Sequence, residues 1–157
     1  LDVHDQPALV EAYIEGREFN VAVFDDAKPE ALPVSEIDFS QMPEGQPRIL
    51  SYEAKWLADG VLYQASPPIC PAPVDDDLKA RLQETAVKAF QVVGCRDYGR
   101  VDFRMDKKGR IFILEVNPNP DISLNAGYAR ALGAAGIEYK SFWQSLIEKA
   151  LARRTKI

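Results

Sequence analysis

With 157 residues, 46% of them hydrophobic and 27% charged, the chain is long enough to bury one sizeable core and too apolar to be disordered. A net charge of −5, with no run of like charge longer than Asp75-Asp76-Asp77, excludes a phosphate-backbone footprint, and no apolar stretch approaches the roughly 20 residues that span a bilayer. Cys70, Cys95 and the lone His4 supply neither a disulfide framework nor metal-site spacing, which suits thiols in a reducing cytoplasm.

The chain opens at Leu1 without an initiator Met, the expectation for a fragment. Ala8 to Ile14 and Glu18 to Phe24 read as two strands of a hairpin about the turn Glu15-Gly16-Arg17. Asp25 to Pro73 is loop-rich, with strand-like pieces at Leu32 to Phe39 and Arg48 to Tyr52. Asp75 to Asp77 offer helix caps, and Leu78, Leu82, Ala86, Ala89, Phe90 and Val93 follow at helical spacing until Gly94 ends the pattern. Two alternating strands come next, Arg100 to Met105 and Ile111 to Asn117, joined by Lys107 to Arg110. A Pro-rich loop, an Ala/Gly-rich helix around Ala126 to Ala135 and a last helix with the stripe Tyr139, Phe142, Trp143, Leu146, Ile147, Ala150 and Leu151 complete the chain. The class is α+β in a single domain over residues 1–157. Phe90, Phe112, Phe142 and Trp143 are assigned to the core, Cys95 is a small core residue, and His4 has no assigned role.

If Val101, Phe103 and Met105 share one face with Val116, Leu114 and Phe112, the strands pair so that Asp102 opposes Glu115 and Arg100 opposes Asn117 on the other face. Facing carboxylates repel, at about 0.2–1 kcal/mol, unless a cation lies between them. Asp102, Glu115 and Asn117 offer only oxygen ligands, the hard type that suits magnesium and leaves positions for waters and phosphates. The alternative is a solvated face on which Arg100 and Arg104 neutralise the acids, and spacing does not choose between the two.

Arg100-Val101-Asp102, then Glu115-Val116-Asn117 and a Pro-rich loop, resemble the C-terminal core of ATP-grasp enzymes, particularly the D-alanine–D-alanine ligase branch. Val10-Glu11-Ala12-Tyr13-Ile14 with Glu18-Phe19-Asn20 resembles the family's adenine-binding hinge and ribose-contacting glutamate. Tyr52-Glu53-Ala54-Lys55-Trp56 resembles the segment whose lysine lies near the phosphates, and Cys70-Pro71-Ala72 the stretch before the long helix.

The resemblance implies an ATP-grasp C-terminal lobe, mainly antiparallel sheet flanked by helices. It implies an ATP-dependent carboxylate–amine ligase acting through an acyl-phosphate, with carboxylate and amine substrates, the N-terminal domains of the same chain and an optional homodimer as partners. Asp102, Glu115 and Asn117 would hold one or two magnesium ions, or manganese, against ATP, while Arg100 stabilises developing charge and Lys55 faces the phosphates. Glu11 and the backbone at Ala12 and Ile14 would meet adenine, and Glu18 the ribose. Taken singly, Glu11 and Glu18 also read as edge-strand surface acids and Lys55 as an exposed loop lysine.

The chain departs from the family pattern in three ways. Asp121 stands at the Gly position of the substrate loop, where the alternative to a substrate role is a cap of the following helix that accepts from N–H groups around Ser123 and Leu124, and Ala126 stands at the position of a substrate-contacting Ser. Ala12 replaces a frequent Lys. The N-terminal domain and the small lobe are missing, so the chain alone is expected to be inactive. A non-catalytic nucleotide-binding module and a purely structural α+β domain are the competing readings.

Overall fold

The computed structural model describes residues 5–57 and 59–154, so His4 lies outside them. In chain order the elements are β1 (Gly16–Asp25), β2 (Pro29–Ala31), β3 (Ser35–Ile37), α1 (Tyr52–Trp56), α2 (Val61–Gln64), β4 (Pro68–Ile69), α3 (Asp76–Val92), β5 (Tyr98–Asp106), β6 (Ile111–Asn117), α4 (Gly127–Ala134) and α5 (Tyr139–Arg154). The strands form one antiparallel sheet in the order β4-β3-β1-β5-β6, with β2 also pairing with β1. This is the expected α+β architecture.

Side chains alternate along a strand, so the sheet serves two layers. On one face Phe19, Val21, Val23, Val101 and Phe103 meet Leu78, Leu82, Ala86 and Phe90 of α3. The helix starts where the acidic run predicts, with Asp75 Oδ1 accepting from Leu78 N at 2.8 Å, and the chain leaves it through Gly94 at φ 73°. Cys95 packs half-buried against this core, and burial pushes its thiol up. On the other face Ala22 and Phe24 pack with Tyr128, Ala131 and Leu132 of α4 and Phe142 of α5. The buried Tyr128 hydroxyl donates to Val23 O at 2.9 Å. That second layer covers one end of its face and leaves the remainder for a site.

Several expectations are corrected. Residues 8–14 form no strand: their apolar alternation has no neighbouring strand among the described residues, and Val10 is 89% exposed. Arg48 to Tyr52 is likewise not a strand, because Ser51 Oγ accepts from Ala54 N and starts α1 instead. Of Leu32 to Phe39 only β3 pairs. Trp143 is 39% exposed and Phe112 only partly buried, and of the α5 stripe Ile147 and Leu151 are more than half exposed.

The β5–β6 register matches the prediction for Val101↔Val116, Asp102↔Glu115 and Arg100↔Asn117 but not beyond. After Asp102 it shifts, so that Phe103 opposes Ile113 and Met105 opposes Ile111. Leu114 is the extra residue of a β-bulge. The bulge reverses the alternation of β6, which removes Phe112 from the α3 face and sets it opposite Arg104.

Candidate active site

Directly opposed residues share a face of the sheet, so the pairings of β3, β1, β5 and β6 line up Ser35, Asn20, Asp102 and Glu115 in one row. The next row toward α4 carries Ala22, Arg100 and Asn117, and the row on the other side carries Ile37, Glu18, Arg104 and Phe112. Four predicted residues, Arg100, Asp102, Glu115 and Asn117, are therefore neighbours. Gly99 lets β5 approach α3 at this point, since a Cβ there would stand 3.0 Å from the Phe90 ring.

Arg100 Nε donates to Asp102 Oδ1 at 2.6 Å and Nη2 to Oδ2 at 2.7 Å, a two-pronged pair in which both side chains are largely buried. Glu115 lies 3.6 Å from the same guanidinium. Burial works against the Arg100 charge, but Asp102, Glu115 and Asp121 outweigh it and hold its pKa above the ordinary value. Burial, then the neighbouring Asp102, pushes the Glu115 carboxyl up, while Arg100 and Lys55 pull it down. A solvated face does not describe Arg100, Asp102 and Arg104, which expose 14%, 19% and 3% of their side chains, whereas Glu115 stays 54% exposed.

Lys55 is exposed on α1, and its charge is felt at Glu115. Asn117 Oδ1 accepts from Asn119 N at 2.9 Å, and the Tyr98 hydroxyl donates to Asn119 Oδ1 at 2.8 Å, which shapes the loop after β6. Asp121 Oδ1 accepts from Ser123 N at 2.9 Å and Ser123 Oγ at 2.6 Å. These bonds and the Arg100 charge hold the Asp121 carboxyl below its usual range. Asp121 does not cap α4, however. The capping position is Ala126, which has no side chain to offer the first N–H groups.

At the other end, Glu11 and Ala12 are exposed and Ile14 is half-buried. The Ile14 carbonyl accepts from Arg104 Nε at 3.0 Å and Nη2 at 2.7 Å, while Arg104 Nη1 donates to Glu18 Oε2 at 3.0 Å and Arg48 O at 2.6 Å. Burial raises the Glu18 pKa although Arg104 opposes it. In the sequence Arg104 has a role only in the alternative of a solvated face, as a charge that neutralises the acids. The signal lay in the Glu18↔Arg104 pairing, which a reading of two separate hairpins does not contain.

Among the described residues no group of three or more His, Cys, Asp and Glu is arranged to hold a metal. Two carboxylates and an amide nevertheless make an all-oxygen set that fits magnesium, a cation that retains waters or phosphate oxygens as its other ligands. Burial gives the larger share of the upward push on Glu115, and the share that comes from Asp102 is repulsion that a cation between the carboxylates would relieve. A cavity of about 280 Å³ bordered by Asp26, Lys28, Glu30, Ser141 and Ser145 holds none of the predicted residues. No helix among the described residues is long and apolar enough to cross a membrane.

A family model described as D-ala D-ala ligase C-terminus matches residues 2–148. The chain is 38% identical over 149 residues to an uncharacterised protein of Sinorhizobium fredii, covering 94% of this chain and 42% of that one. It is 37% identical over 155 residues to a D-alanine–D-alanine ligase of Nocardia farcinica, covering 97% and 40%. The D-alanine–D-alanine ligase of Coxiella burnetii superposes with a TM-score of 0.71 at 22% identity, over 93% of this chain and 35% of that one. The Bacillus anthracis ligase complexed with ATP gives 0.66 at 22%, over 92% and 41%. The chain thus spans about two fifths of the length of these curated relatives.

Proposed function

The chain belongs to the D-alanine–D-alanine ligase C-terminal family, and from that premise we propose that it is the catalytic lobe of an ATP-dependent carboxylate–amine ligase. The observation that carries this reading is the pairing of Asp102 with Glu115, beside Asn117 and under the guanidinium of Arg100. Asp102, Glu115 and Asn117 are the residues that would hold one or two magnesium ions, which neutralise phosphate charge during phosphoryl transfer.

Arg100 is charged at every relevant pH and is held in place by Asp102, so it can stabilise negative charge on the transferred group without reorganising. Lys55 adds a second positive charge on the exposed side. A substrate carboxylate oxygen attacks the γ-phosphorus, the bond to the β-phosphate oxygen breaks, and ADP leaves with the electron pair. The amine then attacks the acyl carbon, phosphate departs with the carbon–oxygen pair, and the amine loses its proton. No protein nucleophile is required. Glu11 and the backbone of Ala12 and Ile14 would meet adenine, and Glu18 would accept from the ribose hydroxyls.

Asp121 and Ala126 set the substrate apart. A negative side chain beside Arg100 and the missing hydroxyl at the start of α4 disfavour two D-alanines, and an amino or guanidino substituent near Asp121 suits the local charge. Two experiments test the reading. Calorimetric titration of the intact protein with magnesium and a non-hydrolysable ATP analogue should show magnesium-dependent binding, and its absence defeats the assignment. ADP release against a panel of amino acids should favour substrates other than D-alanine, whereas D-alanine-selective dipeptide formation refutes the substrate argument alone.

A further inference from the structure

Four residues apart on β5, Arg100 and Arg104 point from the same face of the sheet, roughly 13 Å from each other at strand spacing. Arg100 is committed to Asp102 and Glu115. Arg104 is committed elsewhere. It is 3% exposed, and its guanidinium joins three separate stretches of chain: the Ile14 carbonyl, the Glu18 carboxylate and the Arg48 carbonyl. The rings of Tyr13 and Phe39 lie 5.5 Å and 5.9 Å from it.

A guanidinium this buried is costly unless its N–H groups are matched, and here a carboxylate and two carbonyls match them. The gain falls on residues 8–15. Among the described residues no backbone–backbone hydrogen bond joins this stretch to the sheet, and Leu9, Val10 and Tyr13 are largely exposed. The forked grip of Arg104 on Ile14 therefore fixes the stretch relative to Glu18, and the third bond fixes the segment that leads through Ser51 into α1.

We propose that Arg104 is a positioning residue for the nucleoside end of the nucleotide: it sets the spacing between the Ile14 backbone and Glu18 and so determines preference for adenine, while leaving the metal–triphosphate end to the Arg100 cluster. This rests on the ligase reading above. The separation of the two arginines makes their effects separable, because a ligand without a nucleoside touches only the Arg100 end.

The test is titration of the intact protein and its Arg104→Met and Arg104→Lys variants with three magnesium-loaded probes: a non-hydrolysable ATP analogue, the matching GTP analogue and inorganic tripolyphosphate. Arg104→Met should weaken the ATP analogue by about tenfold or more, as expected when charge-assisted bonds to a positioned segment are lost. The ATP-over-GTP preference should shrink, and tripolyphosphate should change by less than about twofold. Arg104→Lys keeps the charge but cannot grip one carbonyl with two N–H groups, so it should fall between the two and carries the test if Arg104→Met does not fold. Equal losses for all three probes, or an unchanged ATP-over-GTP preference in folded variants, overturn the proposal. A parent protein that binds none of the magnesium-loaded probes defeats the ligase reading first and this inference with it. Normal parent binding with unaltered variants defeats only the inference.

Discussion

Glu115→Gln separates the cost of the facing carboxylates from their use. Glu115 opposes Asp102 in the ladder, and burial together with Asp102 raises its pKa above the ordinary 4.5. A carboxyl whose folded pKa is raised contributes most below its unfolded pKa and loses that contribution as pH rises through the folded value, so at neutral pH Glu115 costs stability. The full like-charge penalty across a strand pair approaches 1 kcal/mol, but the Glu115 side chain is 54% exposed and Arg100 is 3.6 Å away. After screening, the variant should gain about 0.3–0.5 kcal/mol without ligand, or about 1–2 °C in Tm. The gain should fade as pH falls through the raised folded pKa and be gone below the ordinary 4.5, where the parent is protonated in both states. With magnesium and a non-hydrolysable ATP analogue the order should reverse, affinity falling at least about tenfold, or about 1.4 kcal/mol. Thermal melts from pH 4 to 8 and calorimetry at pH 7 read the two effects. A variant that is less stable without ligand, or that binds as tightly as the parent, refutes the argument.

Two further substitutions test the scaffold. Gly16→Ala should lower stability by about 2 kcal/mol or more, roughly 4–8 °C in Tm, because a Cβ there would stand 1.9 Å from the Met105 carbonyl oxygen at a φ of 154°; a melt within 1 °C of the parent contradicts this. Ala126→Ser supplies the hydroxyl that the capping position of α4 lacks and should raise stability by about 1 kcal/mol in denaturant titrations, while an unchanged midpoint means the first turn is already satisfied.

How far the sequence reaches depends on whether a feature is local. The cap at Asp75, the periodicity of α3, the turn between β5 and β6 and the pairing of Asp102 with Glu115 all rest on residues within one or two elements, and all are found. Residues 8–14 carry a strand-like alternation, yet alternation requires a partner and none is supplied. Ser51 overrode the strand-like run from Arg48 by offering a cap, a side-chain bond that competes with any ladder. Arg104 was misjudged because its partners lie 56 to 90 residues away in sequence, and the periodicity of β5 says only which face it occupies. The exposed Ile147 and Leu151 show the converse: a helical stripe fixes a direction, and what lies in that direction is not written in the helix.

The bulge in β6 separates two properties of the carboxylate pair. The pairs on either side of Leu114 differ by one residue in register, so deleting Leu114 would leave every observed β5–β6 pair in place and merely make the hairpin regular. The ladder therefore does not need the inserted residue. What it supplies is bend and added twist, at the step next to the facing acids. Which atoms the proposed cation would meet is thus encoded by side chains, and the curvature of the surface that presents them by a single backbone insertion, so mutation can alter either one while the other is conserved.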